Sequence, residues 1–174
     1  NRVRSDMRAS YLKIGGDDAF QRFPVTDLIY LDGNYVYADY AAQTALHLKL
    51  VPPHNFGPPE RCYYTQVTNH PGFTVHPFGQ GQCIYIPWEP GKLYRRQGYT
   101  NTLDFVADVL EHVARLRPVK GNLSPMVEVT LFEKRDGSHQ LLHLVNGSGH
   151  FGVSFFAPVT MVDVQIEVPR QAKP

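Results

Sequence analysis

Only two cysteines, Cys62 and Cys83, occur in 174 residues, too few for the disulfide framework of a small secreted domain. No C-x-x-C pair is present, which argues against a zinc knuckle or a thioredoxin-like site. Two unpaired thiols in a reducing, cytoplasmic compartment is a simpler reading than one bridge. An excess of one charge is missing too: 17 Lys+Arg against 16 Asp+Glu give a formal net charge of +1. That removes the electrostatic case for a nucleic-acid partner. No apolar run approaches the roughly 20 residues of a membrane span, so no membrane partner is expected. An initiator Met and a signal-like stretch are also lacking. The chain opens Asn1-Arg2-Val3, and its native start is expected to be missing, cleaved or disordered. Catalytic signatures are absent as well: there is no G-x-S-x-G elbow, no H-E-x-x-H, and no elbow cysteine followed by a His-x-Glu pair. Gly79-Gln80-Gly81 lies between two strands, whereas a phosphate cradle leads into a helix.

What remains is strand-rich. Forty-three per cent apolar residues can fill a core, and the length suits one domain or one plus an appendage. Residues 1–26 read as an irregular lead-in. Leu28–Leu31 and Tyr35–Tyr37 flank Asp32-Gly33-Asn34 and predict a hairpin. Ala45–Val51 predicts a strand that stops at Pro52-Pro53, and four prolines in residues 52–60 exclude a helix there. Gly72–His76 and Cys83–Ile86 predict a second hairpin, with Cys83 buried in its strand. One helix is expected over residues 101–117, capped by Asn101 or Thr102 and ended by Pro118, with His112 at its C-terminal end. After a linker at 118–125, residues 126–132 and 140–145 predict a third hairpin, and Val159–Val168 a further strand. Three strands are few for a sandwich, so this second part reads as cut short. Asn122-Leu-Ser124 and Asn146-Gly-Ser148 match the glycosylation sequon, which has meaning only in a secreted eukaryotic chain.

Candidate chemistry is thin. His54, His70 and His76, with Glu60 and Glu89, match no metal-ligand spacing, and histidines bonded to loop backbone are the simpler reading. No metal or cofactor is predicted. Asp32, Asp39, Glu60 and Glu89 could supply a glycosidase carboxylate pair, but no spacing favours one. Ten Tyr, ten Phe and one Trp serve core packing, a protein interface or sugar contact. Trp88, in Pro87-Trp88-Glu89-Pro90-Gly91, is the best candidate for an exposed anchor. Tyr85, Tyr94, Tyr99 and His54 are further candidate interface or sugar contacts.

Several motifs recur in a familiar order: Leu50-Val-Pro-Pro-His-Asn-Phe-Gly-Pro-Pro-Glu60, Phe78-Gly-Gln-Gly-Gln-Cys-Ile-Tyr-Ile-Pro-Trp88, Gly91-Lys-Leu-Tyr94 and Gly98-Tyr99, then Val127-Glu-Val-Thr-Leu131 and Leu142-His-Leu-Val-Asn146. Over about residues 10–168 the chain resembles bacterial glycoside hydrolase-like proteins with a β-galactosidase trimerisation-like domain. The resemblance implies a strand-rich α/β fold. Residues 1–117 would be the later part of a flavodoxin-like, class I glutamine amidotransferase-like domain without the catalytic cysteine. Residues 118–174 would open an antiparallel, sandwich-like β domain. Hydrolysis in such proteins belongs to an N-terminal (β/α)₈ barrel, for which this chain has no room, so no catalytic residue is carried over. The implied role is a non-catalytic, homo-oligomerising accessory region in carbohydrate metabolism, partnered by the parent chain's barrel. The alternative is a carbohydrate-binding module.

Overall fold

The computed structural model describes residues 2–54, 57–61 and 63–169, in two compact units, 1–116 and 117–174. Cys62 lies outside the described residues. The fold is strand-rich, with two helices and several small sheets whose ladders, among the described residues, are all antiparallel.

The first unit starts with β1 (Arg2–Arg4), β2 (Ser10–Lys13), β3 (Leu28–Leu31) and β4 (Tyr35–Tyr37). The first 26 residues are therefore not an irregular lead-in. β2 is the centre of a sheet ordered β3-β2-β6, where β6 is Lys49–Val51. Nor do β3 and β4 form the predicted hairpin. β3 pairs with β2, and β4 pairs with β1. The Asp32-Gly33 turn hands the chain from one sheet to another instead of folding it back on itself.

The predicted strand over 45–51 is two strands. β5 (Ala45–His47) joins β7 (Phe73–Phe78), which pairs with β8 (Gly81–Tyr85). Leu48, between β5 and β6, takes a left-handed φ of 61°, which breaks the ladder and redirects the chain. The β7–β8 hairpin is as expected, with Gly79 at φ 58° in its turn. Cys83, however, is exposed, because Ile84 next to it packs against the core and alternation turns Cys83 to the opposite face. Pro59–Arg61 forms a single 3₁₀ turn at the end of the proline-rich loop.

Two helices follow, where one was expected. α1 (Pro90–Gln97) begins with Pro90, whose missing amide is no loss at that position. It ends at Gly98 in the left-handed conformation. α2 (Thr100–Asp108) continues as a π-helical turn over Val109–Val113. Neither predicted cap serves as one. Tyr99 is the N-cap residue, and the Asn101 side chain reaches back to β3, accepting from Tyr30 N at 2.8 Å and donating to Leu28 O at 3.3 Å. Asn101 thereby satisfies the outer edge of β3, which has no strand neighbour.

Period-2 alternation puts Leu12, Ile29, Leu31 and Leu50 inside. They meet Met7, Tyr35, Phe73, Leu93, Phe105 and Val109 in one core. Phe20 stacks on Phe105 at 5.9 Å between ring centroids. The segment carrying Phe20 is fixed to the helix by charge. The fully buried Asp108 carboxylate accepts from the Arg22 guanidinium and, at 3.0 Å, from Arg22 N. Arg22 also donates to Glu111 at 2.7 Å, and His112 Nε2 lies 3.6 Å from Asp108.

The second unit holds β9 (Lys120–Gly121), β10 (Val127–Glu133), β11 (Gln140–Asn146), β12 (His150–Phe151), β13 (Ser154–Phe155) and β14 (Ile166–Glu167). The β10–β11 hairpin matches the expectation. The strand predicted over 159–168 shrinks to β14, because side chains occupy the backbone groups before it. Asn146 Nδ2 donates to Val159 O at 2.9 Å, Asn122 Nδ2 to Asp163 O at 2.9 Å, and Gln165 N donates to Asn122 Oδ1 at 2.8 Å. Both sequon asparagines thus act as fasteners for an irregular segment. No helix among the described residues is long and apolar enough to cross a membrane.

Candidate functional site: an aromatic strip on the first unit

Trp88 is not an exposed anchor. It is 4 % exposed, and its ring lies 5.0 Å from that of Phe105. A bridge between Tyr35 and Trp88, with Val36 N donating to Pro87 O at 2.7 Å, draws the 87–88 segment against β4. Trp88 Nε1 then donates to Gly72 O at 3.0 Å, so the polar end of the indole is satisfied indoors.

Tyr35 follows the same logic. Its hydroxyl donates to Pro71 O at 2.7 Å, and burial pushes the phenol well above its usual range. A raised folded-state pKa favours the neutral, folded form. The contribution is therefore intact below about pH 10 and is lost as pH rises beyond the unfolded phenol's value. Alkaline denaturation midpoints should fall above that pH, and Tyr35→Phe should flatten the fall while costing about 1 kcal/mol at neutral pH. Urea titrations at pH 8 and pH 11 check both.

The outward face of the β3-β2-β6 sheet carries a line of rings. His54 lies 6.0 Å from Tyr11, Tyr11 5.8 Å from Tyr30, and Tyr30 5.4 Å from Tyr99, the last pair edge to face. Tyr11 and Tyr30 are cross-strand partners in the β2–β3 ladder, which fixes their spacing. Burial, then the nearby Asp32, raises the Tyr30 phenol. At that end Arg96 Nη2 donates to Asp32 Oδ2 at 2.6 Å. Tyr99 is 43 % exposed, and His54 Nδ1 is shielded with no hydrogen-bond partner among the described residues. Two predicted contact residues, His54 and Tyr99, are thus joined through Tyr11 and Tyr30. Neither tyrosine was singled out from sequence; the alternation in Ser10-Tyr11-Leu12-Lys13 was the available signal.

The other predicted contacts lie apart. Tyr85, 39 % exposed at the end of β8, faces Tyr40 at 6.5 Å. Tyr94 is half-buried on α1. The histidines do not gather: His76 Nδ1 bonds Thr44 Oγ1 at 2.9 Å, and His70 stands edge-on to Tyr37 at 4.7 Å. Of the carboxylates, Asp32 is held by Arg96, Glu89 accepts from Asn34 at 2.7 Å, and Asp39 and Glu60 are exposed on separate segments. Among the described residues no group of three or more His, Cys, Asp or Glu side chains could hold a metal ion. Asp108, Glu111 and His112 do cluster at a π-helical turn, a frequent functional feature, but Arg22 occupies both carboxylates.

No protein-family model, curated protein or solved structure matches this chain. The strip therefore stands on its own geometry: ring surfaces in a row and a hydrogen-bonded ion pair at one end. Such a surface can stack and orient a ligand.

Proposed function

We propose that the chain is a non-catalytic accessory region through which a glycoside hydrolase-like, β-galactosidase-type protein self-associates. The supporting observation is the second unit, in which no described residue is buried. One face of its β10–β11 hairpin gathers Val127, Val129, Leu131, Leu142 and Leu144, and the other carries Phe132, Leu141 and Val145. Phe151 and Phe155 are each 81 % exposed. A two-stranded hairpin with apolar side chains on both faces is marginal alone and is stabilised by a further strand or a covering surface. Both outer edges of this hairpin are unpaired among the described residues, and a second copy offers the matching edge by symmetry.

In this reading residues 1–117 are the later part of an amidotransferase-like, flavodoxin-like domain, and 118–174 open a sandwich-like domain. The antiparallel ladders of the first unit would then lie outside that domain's parallel sheet. Sedimentation of the full chain should show a dimer or larger species. Replacing Phe132 by Asp and Leu141, its cross-strand partner, by Lys should at least halve the mass while leaving the far-ultraviolet spectrum unchanged. A monomer that persists at high concentration would sink the proposal. The protein should not hydrolyse nitrophenyl galactosides.

The aromatic strip favours a second reading, a carbohydrate-binding module. Calorimetry with galactosides separates the two, because binding that Tyr99→Ala weakens about tenfold belongs to the module.

A further inference from the structure

A groove beside β1 belongs neither to the strip nor to the hairpin faces. It is an open cavity of about 610 Å³ whose walls include Arg2, Arg4, Ser5, Asp6, Tyr37 and His70, a volume within the usual range for small-ligand sites. In the β1–β4 ladder Arg2 stands opposite Tyr37 and Arg4 opposite Tyr35. Both arginines therefore share one face of the ribbon with the two tyrosines.

The two cations are not equivalent. Arg4 Nε donates to Asp6 Oδ1 at 2.8 Å, so its charge is matched. Arg2 makes no ion pair or side-chain hydrogen bond among the described residues. A guanidinium fork at the mouth of a groove, unpaired among the described residues, is suited to bidentate contact with a carboxylate. The remaining wall suits a polyhydroxylated ring. Ser5 offers a hydroxyl, Asp6 offers acceptor oxygens, and Tyr37 with His70 offers an aromatic corner with the rings at 81°.

We propose that this groove binds an acidic monosaccharide unit of the hexuronate class, with Arg2 as the carboxylate anchor. The sugar part of this assignment rests on the carbohydrate-linked reading above; the carboxylate part rests on the groove alone.

The test is titration of the full chain with galacturonate, neutral galactose and succinate, followed by nuclear magnetic resonance of the His70 ring and by calorimetry. Galacturonate should bind saturably and move the His70 signals, whereas galactose and succinate should each bind at least tenfold more weakly. Arg2→Gln should weaken galacturonate about tenfold without changing the fold, since Arg2 is exposed. Tyr37→Ala should weaken it as well. Equal binding of galactose would overturn the carboxylate anchor, and equal binding of succinate would overturn the sugar class. Absence of binding, or an unaffected Arg2→Gln protein, would overturn the site. Sedimentation of the same samples reads self-association separately, so the groove can fail while the accessory role stands.

Discussion

Replacing Trp88 with Ala should cost the first unit about 3–5 kcal/mol of folding stability, the range seen when a buried aromatic is truncated. Against a total of about 5–15 kcal/mol for a typical domain, that removes much of the margin. Two effects combine. The indole fills the space beside Phe105 and next to β4, and deleting it leaves a cavity. Its Nε1 is also the donor to Gly72 O, so the truncation leaves that carbonyl without its partner. Trp88→Phe keeps most of the ring and loses the donor, so it should cost less than half as much. Urea denaturation followed by circular dichroism measures both. An unchanged midpoint for Trp88→Ala would mean that the side chain is not in the core.

The second large effect is expected at Arg22. Removing its side chain by Arg22→Ala leaves Asp108, fully buried, without its cation. Breaking a buried pair from one side costs about 3–5 kcal/mol. Here about 2–3 kcal/mol is expected, because Arg22 is itself 35 % exposed and part of the charge compensation is already shared with solvent. The backbone bond from Arg22 N to Asp108 survives that change. Removing both partners, Arg22→Ala with Asp108→Ala, should recover part of the loss, since no buried charge is then stranded. A double mutant that is no more stable than Arg22→Ala would show that the cost lies in packing of the 17–23 segment. Thermal denaturation of the three variants decides it.

The parts of the fold that were legible in sequence are those whose partners are neighbours in sequence. β7–β8 and β10–β11 each announce themselves by two alternating runs about a short glycine-containing turn. The helical period over 103–113 was visible for the same reason. β1 and β2 were not, because three- and four-residue strands are too short to establish a period. Their partners, β4 for β1 and both β3 and β6 for β2, are not their neighbours across a short turn. The misread hairpin at Asp32-Gly33 follows directly: turn chemistry reports that the chain bends and says nothing about which strand it then joins. α1 was obscured by Pro90-Gly91, which reads as a break although proline suits a first helical turn. The candidate site shows the same limit. Tyr99 and His54 stand out in sequence as residue types in loops, but the tyrosines that connect them are placed by register in a sheet whose central strand is too short to show a period. Trp88 was misplaced because Pro-Trp-Glu-Pro-Gly looks like surface loop locally, and its acceptor, Gly72 O, lies sixteen residues away.

Leu48 has a mechanical consequence. A single residue joins β5 in one sheet to β6 in the other, so there is no slack through which either sheet can peel off alone. Gly72 N donates to His47 O at 2.9 Å, and Leu50 N donates to His70 O at 2.8 Å, so the 70–72 segment is tied to the chain on both sides of that link. Opening one sheet must pull on the other, and the two open as one cooperative block. The aromatic strip on the outer face of β2 and β3 therefore rides on a platform held by both sheets.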